Sequence, residues 1–310
     1  MSRSCYPVSG RLSDPSVGVL DICDVTFMSL TSDYGGAIYL SGSATQVFTV
    51  ERCSMVHCRA GSIGGAIYAA ISQASINISK VCGFDCASGT GAYAYFSAGG
   101  SKTLEFNMVS LNRCPMSDAG TPYYPLLLNY GNHILNSCNV SYAYFSHVTV
   151  KFEISSSVKT TMTNFESNFA SNSIVIWVCS VSSLSQFSLS NFINNTQINL
   201  VHGTIHLSGS QGIMTDCCCC KNNFQLFQLD SGSSLTVVRC VLNHDPNLLF
   251  DRGVDTSNNN VILLTSSYVS NALLLYGTHW CEAAVNLPER SRNWIPDRKI
   301  SFMIAFFINT

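Results

Sequence analysis

The sequence predicts an all-β fold, a right-handed parallel β-helix solenoid of about ten coils, and three observations lead to it. The first is a repeated motif. Gly35-Gly36-Ala37-Ile38-Tyr39 returns 29 residues later as Gly64-Gly65-Ala66-Ile67-Tyr68, and again, degenerate, as Gly91-Ala92-Tyr93-Ala94-Tyr95. Self-similarity at a period of 20–50 residues marks a stacked-repeat architecture. The second is a set of columns in phase with that motif. The third is the texture of the segments between them, short alternating runs with no helical stripe.

The columns carry the period through the chain. Large residues recur at Phe27, Met55, Phe84, Leu111, Val140, Phe165, Phe192, Cys219, Leu242 and Tyr268, at intervals of 23 to 29 residues. Three residues after these anchors come Leu30, Cys58, Ala87, Cys114, Ala143, Asn168, Asn195, Asn222, Asp245 and Asn271. Two residues before them, Val25, Cys53, Cys82, Val109, Cys138, Thr163, Ser190, Cys217, Cys240 and Ser266 form an uncharged column. About ten units therefore cover residues 21–281. Residues 1–20 are left as an N-terminal cap or irregular segment, and 282–310 as a basic linker with a short apolar tail.

Runs such as Gln46-Val47-Phe48-Thr49-Val50, Ala74-Ser75-Ile76-Asn77-Ile78 and Val148-Thr149-Val150-Lys151-Phe152 alternate with period two. They are rich in β-branched and aromatic residues and are separated by Ser, Gly and Asn, so they read as strands and turns. A unit this small cannot bury a face alone, but coils stacked about 4.8 Å apart bury it against each other. Propeller blades need longer units, and the leucine spacing of leucine-rich repeats is absent. Stacking places Asn168, Asn195, Asn222 and Asn271 in a column able to form a side-chain amide ladder.

Composition narrows the function classes. Charged residues are 11% and the formal net charge is −2, so no basic stripe exists to bind nucleic acid. No cofactor or metal is expected. The run Cys217-Cys218-Cys219-Cys220 tempts a metal reading, but neighbours on a strand face opposite ways and four such thiols cannot converge on one ion. Fifteen cysteines admit two readings. Stacked pairs such as Cys53 with Cys82, or Cys217 with Cys240, fall within disulfide reach, and buried free thiols acting as small apolar residues fit as well.

Candidate sites follow from placement. Tyr39 and Tyr68 stack in register and, being bulky, point outward, where an aromatic ladder suits glycans or partner proteins. The irregular stretch from Pro115 to Pro125 interrupts the repeat, and Tyr123 and Tyr124 at its end are candidate contact residues. An enzyme would need clustered carboxylates to hold Ca²⁺ or to act as acid and base on a sugar. Here the nearest arrangement is Asp230 and Asp255 on adjacent coils, with His206 one coil earlier. Asn77, Asn139 and Asn194 head glycosylation triplets, relevant if the chain is secreted. Residues 1–7 lack the apolar core of a signal peptide. Ile300 to Ile308 is apolar but shorter than a spanning helix, which leaves open a cap on the last coil or the start of a membrane anchor.

Gly-Gly-Ala-Ile together with Phe-x-x-Asn (Phe165-Glu166-Ser167-Asn168, Phe192-Ile193-Asn194-Asn195) resembles the repeat of the polymorphic outer membrane proteins, whose passenger regions are pectin-lyase-like β-helices. The Cys-, Ser- and Asn-rich character is also similar to β-helix surface proteins of parasitic protists. The resemblance spans about residues 21–281. It implies cell-surface display or secretion, membrane attachment beyond the repeat, and adhesion to surface glycans or to host or self proteins. A second resemblance, to pectate lyases and polygalacturonases, implies a polysaccharide-active enzyme. The glycine motif is intact in only two coils, and neither a translocator barrel nor a complete spanning segment is present in the sequence.

Overall fold

The computed structural model describes residues 5–243 except 7, 16, 43–44, 116–123, 172–174, 199–202, 224 and 231, together with the strand Asn260–Leu264. Its regular elements are strands, and no helix occurs among the described residues. Three long sheets run along the molecule. Sheet 1 has nine strands from Leu12–Ser13 to Phe227–Leu229, sheet 2 has ten from Val19–Cys23 to Asn260–Leu264, and sheet 3 has nine from Thr26–Met28 to Val241–Asn243. Each coil visits them in turn, as in Ile67–Ile71, Ser75–Ser79 and Cys82–Phe84. Neighbouring coils pair in parallel. Thr31–Tyr34 with Arg59–Ile63 forms a two-stranded flank, and Tyr144–Phe145, Phe169–Ala170 and Thr196–Gln197 form a three-stranded one.

The parallel β-solenoid is thus present, but with about eight turns rather than ten. Nine of the predicted anchors lie on sheet 3. The tenth, Tyr268, falls outside the described residues, as do Ser266, Asn271 and the 282–310 tail. The first rung begins at Leu12, inside the stretch read as a cap.

Two-residue alternation explains the core. In Ser75–Ser79, Ile76 and Ile78 turn inward and are buried, while Ser75 and Asn77 face out. Stacking brings Phe48, Ile76 and Leu104 into one inner column, and Val50, Ile78 and Phe106 into the next. Each such side chain contributes about 1.5–3 kcal/mol by leaving water.

The third anchor is Gly83 rather than Phe84, since Gly83 pairs with both Met55 and Leu111. The cause lies across the core. Tyr93 occupies the position of Ala37 and Ala66 in the glycine motif and is fully buried. A Cβ at Gly83 would overlap the Tyr93 ring and lie 2.9 Å from Leu111 Cδ2. One coil therefore exchanges an inward alanine for tyrosine and empties the facing anchor to receive it. The same shift replaces Ala87 by Cys86 in the column that follows. It also removes Cys82 from the Cys53 column, because Cys82 pairs with Ser54 and Ser110, so the expected Cys53–Cys82 stack does not exist.

Corners are built from left-handed residues. Arg52, Lys80, Met108, Ser137, Met162, Leu189, Asp216 and Arg239 have φ between +49° and +55°. Such backbone costs a non-glycine residue about 1–2 kcal/mol. The following residue offsets that cost by tying coils together. Thr163 N donates to Ser190 Oγ at 3.3 Å, Ser190 N to Cys217 Sγ at 3.4 Å, and Cys217 N to Cys240 Sγ at 3.4 Å. At the next corner Cys86 N donates to Cys114 Sγ, and Asn168 N and Asn195 N donate to Asn195 Oδ1 and Asn222 Oδ1 at 3.1 and 3.0 Å. The amides also donate, from Asn195 Nδ2 to the Phe165 carbonyl at 3.0 Å and from Asn222 Nδ2 to that of Phe192 at 2.9 Å. The amide ladder expected from the Asn column is present at these three coils.

This resolves much of the cysteine count. Cys53, Cys217 and Cys240 are free thiols acting as corner acceptors and donors. Cys217 and Cys219 lie in the core while Cys218 and Cys220 face the other way with their sulfurs 3.2 Å apart, the alternation a strand imposes. Cys5 and Cys23 form a disulfide that staples the amino-terminal segment to the first rung. The only grouping of three possible metal ligands among the described residues is Cys5, Cys23 and Asp24, and its two sulfurs are consumed by that bond.

Candidate functional site

The outward column of sheet 1 runs Tyr39, Tyr68, Tyr95, Leu127, Lys151, Trp177, His206 and Gln228. Its first three members stack. Tyr39 and Tyr68 lie 5.3 Å apart at 16°, and Tyr68 and Tyr95 lie 5.1 Å apart at 15°. Tyr34, from the two-stranded flank, sets its ring edge-on to Tyr68 at 5.6 Å. Arg11 covers Tyr39 at 5.6 Å and donates from Nη2 to the Tyr34 carbonyl at 2.8 Å. Partial burial, and then the neighbouring phenols, push the Tyr68 hydroxyl pKa up, so Tyr68 stays a neutral donor at physiological pH.

The spacing fixes what the ladder shows to a partner. Rings lying flat in the sheet plane would clash at their edges when their centres are this close. They must turn their faces toward one another and present edges and hydroxyls outward. The ladder that the sequence suggested for glycans or partner proteins therefore offers ring edges and hydroxyls rather than flat faces.

Further along, Lys151 is buried and its Nζ sits 4.6 Å over Trp177 and 5.3 Å over Tyr124, with Glu153 Oε1 at 2.9 Å. Trp177 stacks on His206 at 5.4 Å and 4°. Tyr124 is therefore drawn into the same face, though packed beneath a lysine rather than presented on a loop tip. Tyr123 lies outside the described residues. His206 Nε2 is 3.0 Å from Asp230 Oδ1, with the imidazole buried and the carboxylate partly exposed. The sequence-predicted pair of His206 and Asp230 is thus brought together. Asp255 lies outside the described residues, so one carboxylate of the two needed for glycoside chemistry is placed. Asn77 and Asn194 are exposed. Asn139 is buried, its Nδ2 donating to Ser141 Oγ and its Oδ1 accepting from Asn164, both at 3.0 Å.

Sequence reading missed Tyr34, Tyr95, Arg11, Lys151 and Trp177. Tyr95 was findable, because it ends the degenerate third motif at the position Tyr39 and Tyr68 hold in the first two. Trp177 needed the register of two intervening coils that lack the motif.

Fold and face together define a class: a parallel β-solenoid with an aromatic ribbon on one flank. No protein-family model matches the chain, and no curated protein or solved structure matches it either.

Proposed function

We propose that this chain is a non-catalytic, adhesin-like scaffold that displays a rod-shaped surface and binds partner proteins through the tyrosine ribbon of sheet 1. The observation that carries the reading is the stack of Tyr39, Tyr68 and Tyr95 with Tyr34 against it, a patch of rigid phenol edges and hydroxyls. Tyrosine supplies contact area and hydrogen bonds at low entropic cost, and is over-represented in binding hot spots. Surface or secreted localisation draws support from the Cys5–Cys23 disulfide, since such bonds persist in oxidising compartments. The resemblance to surface-displayed β-helix families and the apolar 300–308 tail point the same way, toward display with membrane attachment through the carboxyl-terminal region.

A polysaccharide-active enzyme is the second reading, favoured by the His206–Asp230 contact. One experiment separates the two. Purified protein is assayed for attachment to host and self cell surfaces and for release of reducing sugar from acidic polysaccharides. The scaffold reading expects attachment that falls at least tenfold in a Tyr39→Ala/Tyr68→Ala/Tyr95→Ala variant, with Asp230→Asn behaving as the parent. Sugar release abolished by Asp230→Asn, with no attachment, would reverse the choice.

A further inference from the structure

The corner between sheets 1 and 2 holds a notch that no motif announces. Strand Ile176–Cys179 reaches Ser185–Ser188 through five residues, and Phe227–Leu229 reaches Ser234–Val238 through four. Between them, Ile205–Ser208 reaches Gln211–Thr215 through Gly209 and Ser210 alone. A short corner between two long ones leaves a groove of about 260 Å³. On two earlier coils the left-handed residues Tyr130 and Ile154 project from this corner with 42% and 52% exposure. At Gly209 and Gly232 an added Cβ would meet nothing within 4 Å. No side chain fills the notch at Gly209, on the short corner, or at Gly232, on the longer corner of the next coil.

The lining has a definite chemistry. Ser182 and Ser183 both donate their hydroxyl protons to the Ser156 carbonyl, at 3.1 and 2.6 Å, which leaves their oxygen lone pairs to accept from a ligand. Gln211 is exposed and offers an amide that donates and accepts. Leu184, 46% exposed, supplies an apolar patch. None of the described lining residues is charged. An anionic ligand would find no counter-charge here, and an apolar one would strand the hydroxyls and the amide. Hydroxyls arrayed around an apolar ring face match both parts of the lining. We infer that this notch is a binding site for a neutral saccharide, one or two rings long, separate from the tyrosine ribbon.

The test titrates the full chain with neutral gluco-, galacto- and manno-oligosaccharides, and with oligogalacturonides as the charged comparison, by calorimetry and saturation-transfer NMR. At least one neutral series binds, and the charged series binds at least tenfold more weakly. Gln211→Ala, a change at an exposed side chain, weakens binding about tenfold. Gly209→Asn, which keeps a residue tolerant of left-handed backbone and fills the notch, abolishes it. Tyr68→Ala leaves it unchanged, so failure here and failure of the scaffold reading are distinguishable. If Gly209→Asn lowers stability, Gln211→Ala and Leu184→Ala carry the test alone. Absence of any neutral-sugar binding, equal binding of oligogalacturonides, or full affinity retained in Gln211→Ala and Leu184→Ala overturns the assignment.

Discussion

At the scale of single residues, His133 ties the stability of the fold to pH. It occupies an inner column between Leu104 and Val158, fully buried, with the Phe152 ring centre 5.7 Å away. Burial drives its pKa from the ordinary 6.5 to about 3. Between those values the unfolded chain holds a proton that the folded chain refuses. Stability is therefore complete above about pH 6.5 and drains as the pH falls toward 3, by about 2 kcal/mol at pH 5. His133→Leu keeps the volume and removes the titration. Urea unfolding at pH 7 and pH 5 should show the parent losing stability between the two, and the variant losing about 2 kcal/mol less. Equal losses in both would place the sensitivity elsewhere. Nothing in Asn132-His133-Ile134 announced this, because alternation is indifferent to which phase is inside, and isoleucine is the natural guess for the core.

At the scale of one coil, the exchange between Gly83 and Tyr93 shows where sequence columns succeed and where they slip. Eight of nine anchors on sheet 3 fall where the spacing placed them, since a missing anchor leaves a void that neighbouring coils cannot fill. The ninth slipped by one residue because Phe84 resembles an anchor and glycine does not. The tyrosine hydroxyl, which donates to Met55 Sδ at 3.3 Å, reaches almost across the core. Tyr93→Ala should cost about 3–5 kcal/mol, as for other buried aromatic truncations. Gly83→Leu alone should also destabilise, through overlap with the ring. Joined, the two changes restore the pattern of the preceding coil, with Ala66 facing a large anchor at Met55, so the double variant should be more stable than Tyr93→Ala. Denaturant midpoints of the four proteins measure that coupling, and strict additivity would show that the two positions do not share space.

At the scale of the whole molecule, the solenoid class and its period were legible, the coil count was overestimated by about two, and the functional face was only partly legible, for one reason. Period and column report what stacking must bury, whereas an outer face is free to vary from coil to coil. Tyr39, Tyr68 and Tyr95 persist through three rungs, then give way to Leu127, Lys151 and Trp177. Burial also determines how so many thiols coexist with a disulfide. Ten of the eleven free cysteines among the described residues are buried, and Cys179 alone is partly exposed. Desolvation pushes Cys138 up to about 12, which at neutral pH leaves about a thousandfold less thiolate than an ordinary thiol pKa near 9 would give. Alkylation of the native protein, read peptide by peptide by mass spectrometry, should mark the partly exposed Cys179 well before the buried Cys138. Cys53, Cys86, Cys217 and Cys219 should stay unmodified until denaturant is added. Because each coil is covered by its neighbours, those buried thiols should become reactive together rather than one by one. Early labelling of Cys138 or Cys219 under native conditions would mean that the coils open locally, and that burial does not keep these thiols apart from the oxidant that joins Cys5 to Cys23.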